Sequence, residues 1–183
     1  MNLAPCARAH APEILAIFNH AILHTTALYE YEPRTPAVME TWFNTKEAGG
    51  YPVIGAFDAD GALAGFASYG TFRAFPAYRY TVEHSVYVHP EKRRLGVGRR
   101  LLHAVIAAAQ AQDYHVLVGV IDAANAPSIR LHTESGFTPC GRIRRAGYKF
   151  DRWLDVEFYQ LVLPTPAKLP AAGAVLAERP TTE

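Results

Sequence analysis

Apolar residues recur at helical spacing at Ile14, Ile17, Phe18, Ala21 and Ile22, so the segment opened by Pro12 and Glu13 is predicted to be a helix with one buried face. Thr35 before Pro36 suits an N-cap and first helical position, and predicts a shorter helix through about Trp42 and Thr45, ended by Gly49 and Gly50. Val53 to Phe57 and Leu63 to Tyr69 read as strands, joined into a hairpin by the turn residues Asp58 to Gly61. After an aromatic and arginine-containing loop from Phe72 to Tyr80, Thr81 to Val88 is a further β-rich run, stopped by His89 and Pro90.

Leu101, Leu102, Val105, Ile106 and Ala109 then mark an amphipathic helix. His115 to Ile121 is a second apolar strand, Asn125 begins a short helix that ends at Gly136, and Val156 to Leu163 is a late strand. Interleaved helices and strands predict one α/β domain over residues 1–163. From Pro164 onward Pro, Ala and Thr dominate, and residues 164–183 are expected to be an appended tail.

Composition changes this picture little. At 183 residues, half of them hydrophobic, the chain suits a single core. A formal net charge of +1 gives no global field for nucleic acid or an anionic membrane, so neither is an expected partner. The first residues carry no charged segment leading into an apolar stretch, and no apolar run approaches the roughly 20 residues that cross a bilayer. A cytoplasmic protein is expected. Cys6 and Cys140 form neither a disulfide framework nor a metal set, and read as reduced thiols.

The candidate chemistry begins at Arg93 to Arg99, a glycine loop between a strand end and a helix start. Gly96 and Gly98 allow a ligand close to the backbone, and the unpaired amides and dipole of a helix N-terminus favour negative charge, which points to a pyrophosphate. Leu101 stands where a Rossmann fingerprint needs its third glycine, and the Gly-Lys-Ser/Thr of a Walker loop is missing. A bare Gly-x-Gly is also compatible with a tight turn beside a solvated basic flank.

Thr81 to Val88, followed by Arg93 and the Gly96-x-Gly98 pair, resembles the acetyl-coenzyme A motif of the Gcn5-related N-acetyltransferases. Asn125 to His132 with Gly136 and Phe137 resembles the second cofactor segment of that superfamily. Phe18 to Ala21 with Thr25 and Thr26, the stretch from Arg73 to Ser85, and Gly147 to Asp155 are similar to the phosphinothricin and methionine sulfone or sulfoximine acetyltransferases. The resemblance spans about Arg8 to Leu163. It implies a central mixed, mostly antiparallel sheet flanked by helices, with two strands splayed at a bulge to admit acetyl-CoA. It also implies a homodimer, a small amino-acid-like acceptor and no metal.

Carried over by position, the resemblance gives the pantetheine arm to Val86, Tyr87 and Val88, and the pyrophosphate to Arg94, Leu95, Gly96, Val97, Gly98 and Arg99. Asn125 would meet the cofactor near its thioester, and Ser128 is a further cofactor-binding position. Lys92, Arg93 and Arg100 add charge, of which only part is expected to touch ligand.

The acceptor amine must lose a proton before it attacks a thioester, because an α-amino group of pKa near 8 is largely protonated at neutral pH. Glu83, a carboxylate on an otherwise apolar strand, is the candidate base, directly or through water; the other reading is a structural ion pair. His132 stands where many relatives carry a tyrosine that protonates the leaving thiolate. It is a candidate to protonate sulfur or orient water, or else a helix histidine that satisfies a buried backbone group. His84, His103 and His115 show no metal-ligand spacing, and Cys140 has no feature of a nucleophile, so direct transfer is expected.

Arg73 and Phe75, with Tyr78, Glu83 and Ser85, form the implied acceptor set. Arg73 or Arg79 can grip a carboxylate. Phe75 stands where herbicide-resistance enzymes tend to carry arginine, which favours a less anionic acceptor. Tyr78, Tyr80 and Tyr87 also suit plain packing, and Trp153 and Asp155 suit a core or subunit interface. Two alternatives to the small-molecule enzyme remain: a catalytically silent acetyl-CoA-binding or sensing module, and an acetyltransferase of peptide N-termini.

Overall fold

The computed structural model describes residues 1–168. The strands are β1 (Asn2–Pro5), β2 (Val53–Phe57), β3 (Leu63–Thr71), β4 (Thr81–Val88), β5 (Val116–Asp122), β6 (Thr138–Lys149) and β7 (Arg152–Val162). The α-helices are α1 (Ala11–His24), α2 (Pro36–Ala48), α3 (Val97–Ala111) and α4 (Ala126–Glu134). One sheet runs in the order β1-β2-β3-β4-β5-β7-β6, and every neighbouring pair is antiparallel except β4 with β5.

Each face of the sheet has its own core. α1 buries the predicted stripe Ile14, Ile17, Phe18, Ala21 and Ile22, and packs with Met39 and Phe43 of α2 against Val53, Leu63 and Phe66. α3 buries Val97, Leu101, Leu102, Val105 and Ala109 against Val82, Leu117 and Ile121 on the other face. Leu101 is fully buried, so Leu101→Ala would cost about 2–5 kcal/mol. Thr35 and Gly49 flank α2 as expected, although Thr35 makes no side-chain cap hydrogen bond.

The feature that positions the site is a fork. β4 and β5 are in parallel register only from Thr81↔Val116 to Glu83↔Val118. Beyond that point β4 stays paired with β3 to Val88, and β5 with β7 to Asp122. The expected splay is present, but the expected bulge leaves no mark on the β3–β4 ladder, which runs without a register shift from Thr71↔Val82 to Gly65↔Val88. The strands part by losing each other.

Two strands go beyond the elements predicted above. β1 is short and contains Pro5. β6 is an edge strand, exposed along nearly its whole length and interrupted by two register shifts, so it carries no apolar alternation. Its pairing also starts β7 at Arg152 rather than Val156, across a tight turn with Phe150 and Asp151 at φ +51° and +56°. Of the expected tail, Thr165 docks at the start of β5, where its carbonyl accepts from His115 Nδ1 at 2.7 Å; residues 169–183 lie outside the described part. Among the described residues no helix is long and apolar enough to cross a membrane.

Candidate active site

The fork opens into a cavity of about 1140 Å³. One wall is β4 from Glu83 to Val88, the opposite wall β5 from Gly119 to Asp122. Past Glu83, backbone groups of β4 that face β5 have lost their strand partners, which leaves a slot able to hydrogen-bond an extended chain. The far end is closed by Arg93, Arg94 and the start of α3.

That end is built for an anion. Gly96 is the N-cap of α3 at φ +75°, and Arg94 precedes it at φ +62°, so the chain turns sharply into the helix. The first helical bond runs from Arg100 N–H to Gly96 O at 3.2 Å, which leaves the amides of Val97, Gly98 and Arg99 without partners inside the helix. Gly96, Val97, Gly98 and Arg99 line the cavity, whereas Leu95 is exposed and Arg100 lies outside it. Lys92 is paired with Asp58 at 2.8 Å and Arg99 with Glu134, so part of the local charge is already matched. A pyrophosphate on a thin, flexible arm fits both the slot and its amide-lined end.

α4 flanks the slot. Asn125 Oδ1 accepts from Ser128 N–H at 3.2 Å, capping the helix, and Asn125, Ser128 and His132 all line the cavity. His132 is buried, with Nδ1 2.7 Å from Ser128 O and Nε2 2.9 Å from His84 Nε2. His84 Nδ1 lies 2.7 Å from Val118 O, the carbonyl of the last β5 residue in register with β4. Burial holds both imidazoles below the usual histidine range; for His84 the neighbouring ring pushes the same way, while the Val118 carbonyl opposes.

Glu83 sits at the crotch of the fork, partly buried and on the cavity wall. Burial pushes its carboxyl above the usual glutamate range, and the positive charge of Arg73 pulls it partly back. Ser85, Val86, Tyr87 and Val88 line the cavity beyond it. The Tyr87 ring packs 5.0 Å from Phe18 and 5.4 Å from Phe66, and burial raises its phenol. The structure does not bring Phe75 and Tyr78 to this wall: Phe75 is 71% exposed, and Tyr78 is exposed beside Phe72. Arg73 stacks 4.4 Å over Phe72 and donates to Phe72 O at 2.8 Å, outside the cavity lining.

Several contributors were not singled out from sequence. Asp122, only 7% exposed, accepts from Thr26 Oγ1 and from Ala124 N–H at 2.9 Å, tying the loop after α1 to the end of β5. Buried Lys149 donates to the carbonyls of Ile22, Thr25 and Leu28, at 2.6, 3.0 and 2.6 Å, and so fixes that loop as a cavity wall. His84, considered above only as a metal ligand, is part of the wall as well; its place next to Glu83 on a strand was the available signal. Among the described residues no group of three or more His, Cys, Asp or Glu side chains is arranged to hold a metal.

A sheet split between a parallel strand pair, with a glycine-capped helix at the end of the split, defines a protein that binds an acyl-coenzyme A in extended form. The chain belongs to the acetyltransferase (GNAT) family, whose model matches residues 16–137. It is an acetyltransferase, and acetyl-CoA is its acetyl donor. It is 46% identical to the L-methionine sulfoximine/L-methionine sulfone acetyltransferase of Pseudomonas aeruginosa, over 88% of this chain and 94% of that one. Among solved structures it resembles a phosphinothricin acetyltransferase from Sinorhizobium meliloti in complex with acetyl-CoA, at 35% identity and a TM-score of 0.89 over 94% of each chain. A ribosomal-protein-alanine N-acetyltransferase from Brucella melitensis is also similar, at 38% identity and a TM-score of 0.87, over 89% of this chain and all of that one.

Proposed function

We propose that this enzyme acetylates the α-amino group of a small amino-acid-like acceptor of the methionine sulfone, methionine sulfoximine or phosphinothricin type, by direct attack of the amine on the thioester. The observation that carries this reading is the position of Glu83: a carboxylate made more basic by burial, at the point where the slot between β4 and β5 begins. From there it takes the ammonium proton, a contribution of roughly 10²- to 10⁴-fold. Val86, Tyr87 and Val88 offer backbone groups to the pantetheine, and the amides from Arg94 to Arg99, Leu95 included, receive the pyrophosphate. Asn125 and Ser128 border the thioester, and His132 serves the leaving sulfur. Ser85 lines the acceptor side, where Arg73 acts through its charge on Glu83, while Phe75 and Tyr78 lie outside the cavity lining.

The names of the relatives support the acceptor class. We further infer a homodimer, supported by the exposed apolar side chains Ile143, Tyr148, Phe150 and Trp153 on the β6–β7 hairpin. Free-thiol release from acetyl-CoA, measured across amino acids, methionine sulfone, methionine sulfoximine, phosphinothricin and alanine-terminated peptides, tests the assignment. Turnover should be highest with the sulfone or sulfoximine. Turnover of peptides alone, or cofactor binding without transfer, would replace the reading by one of its alternatives.

A further inference from the structure

The two buried imidazoles at the fork make more hydrogen-bonding contacts than neutral rings have protons to fill. A carbonyl oxygen only accepts, so His84 Nδ1, 2.7 Å from Val118 O, and His132 Nδ1, 2.7 Å from Ser128 O, each carry a hydrogen. A neutral imidazole has one N–H, and in both rings it is then committed to the backbone. The Nε2 atoms would face each other at 2.9 Å with a lone pair on each. One more proton turns that repulsion into a charge-assisted N–H···N bond, and three protons on two rings satisfy all three contacts.

Packing makes the rings a unit. A Cβ at Gly119 would stand 2.9 Å from His84 Cε1 and 3.2 Å from His132 Cδ2, so the β5 backbone lies directly against both. The Phe137 ring is 5.2 Å from His84 and 5.1 Å from His132. On the three elements around the pair, the charged residues are Glu83 on β4, Asp122 on β5, and Arg130 and Glu134 on α4. Among the described residues none of them hydrogen-bonds either ring; Asp122 holds Thr26 and Glu134 holds Arg99. None of these carboxylates neutralises the pair, and burial disfavours its charge, so a proton held there is readily given up.

We propose that His84 and His132 hold a single proton between their Nε2 atoms, and that His132, on the cavity wall, passes it to the coenzyme A sulfur as the thioester breaks. This rests on the acetyl-transfer reading above. The amine nitrogen forms the C–N bond, the C–S electron pair leaves with sulfur, and the shared proton becomes the S–H proton. The ammonium nitrogen loses two protons in turn to Glu83, which passes them to solvent. Solvent returns one to the imidazole pair, so one proton is released net per turnover. His84 is the positioning residue and His132 the donor.

The histidine ¹⁵N resonances of the unaltered protein, followed against pH without any substrate, read the pair directly. Both Nδ1 atoms should stay protonated throughout, and the two Nε2 signals should move together in one single-proton step. Two Nε2 atoms that are both unprotonated over the whole pH range of turnover would overturn the proposal. Because this readout needs no acetyl transfer, an enzyme that acetylates no acceptor defeats the earlier reading separately. In kinetics, His84→Gln and His132→Gln should each lower kcat by about 10²-fold. The double variant should be no slower than the worse single one beyond about threefold, since residues that act as a unit are not additive, and KM for acetyl-CoA should move by less than about threefold. Losses that multiply, or that fall on KM alone, would also overturn it. Where a variant does not fold, the titration of the unaltered protein decides.

Discussion

Glu83 and His84 are consecutive on β4 and serve opposite faces of the sheet at the residue where β4 leaves β5. Glu83 shares its face with Tyr87, which packs against α1 through Phe18, while His84 reaches α4 and Phe137 on the other side. The alternation of a strand produces this division without any further device. A chain lying in the slot therefore has a carboxylate on one side of its reactive end and a pair of imidazoles on the other. In the mechanism proposed above, proton removal from the incoming amine and proton delivery to the departing sulfur would therefore come from opposite faces of the sheet.

Replacing Glu83 by Gln keeps the size and removes the proton acceptor. Turnover should fall by roughly 10²-fold or more while acetyl-CoA affinity stays unchanged, measured by steady-state kinetics and calorimetry. Because burial raises the carboxyl above its unfolded value, its contribution to stability is fully present at low pH and is lost as pH rises through the folded value. At neutral pH the charged Glu83 is thus a burden, and Glu83→Gln should melt slightly higher than the unaltered protein. The difference should vanish near pH 4.

Arg73 acts on that same carboxyl by opposing the effect of burial. Arg73→Ala should push the Glu83 carboxyl higher still, so the acid limb of the kcat/KM profile should move to higher pH. An acid limb that stays in place, with only KM for the acceptor raised, would make Arg73 a pure substrate anchor.

The glycine loop gives a contrast between two neighbouring positions. A Cβ at Gly96 would meet open space, but the backbone there has a φ of +75°, so Gly96→Val fails on backbone conformation, at about 1–3 kcal/mol. Cofactor affinity should drop about tenfold or more if the loop yields instead. A Cβ at Gly98 would meet Leu131 Cδ2 at 3.4 Å and Val88 Cγ2 at 3.6 Å, ordinary contacts, and Gly98→Ala should bind acetyl-CoA nearly as well. Titration of both folded variants checks the order.

Most of the elements that frame the cavity were legible along the chain. The apolar stripe of α1, the run from Thr81 to Val88 and the Gly96-x-Gly98 turn each follow from local periodicity or turn chemistry, and each stands where expected. β6 was not legible, because a strand exposed on both faces leaves no apolar period to read. Nor could spacing reveal that His84 and His132, 48 positions apart, share a hydrogen bond, or that Asp122 holds Thr26. These depend on where the fork closes, which is a tertiary matter. Phe75 shows the reverse case: the family resemblance singled it out, and the fold places it on the surface.

Lys46 offers a test of stability away from the site. Its Nζ donates to Tyr69 O at 2.8 Å between the rings of Trp42 and Tyr51, and burial lowers it from 10.5 to about 8. A cation whose folded value is depressed penalises the native state wherever it must stay charged. Stability should therefore rise relative to the variant Lys46→Met as pH climbs from about 8 towards 10.5. Urea midpoints across that window, parallel in the two proteins, would show that Lys46 is not held as buried as it stands here.

Acceptor choice is the remaining prediction, and the exposure of Phe75 sets its size. At 71% exposure, an arginine placed there would keep its hydration and act on the acceptor through water rather than through a dry pocket. Exposed charge pairs contribute about 0.2–1 kcal/mol, so Phe75→Arg should improve phosphinothricin relative to methionine sulfone by no more than about fivefold. The gain should shrink as salt rises, since the screening length falls from about 10 Å at 0.1 M to about 3 Å at 1 M. Competition kinetics with both acceptors, at low and high salt, read both effects at once. A salt-independent gain of about tenfold or more would mean that residue 75 is enclosed when the acceptor is bound, and that the loop from Phe72 to Tyr80 folds over the site during turnover.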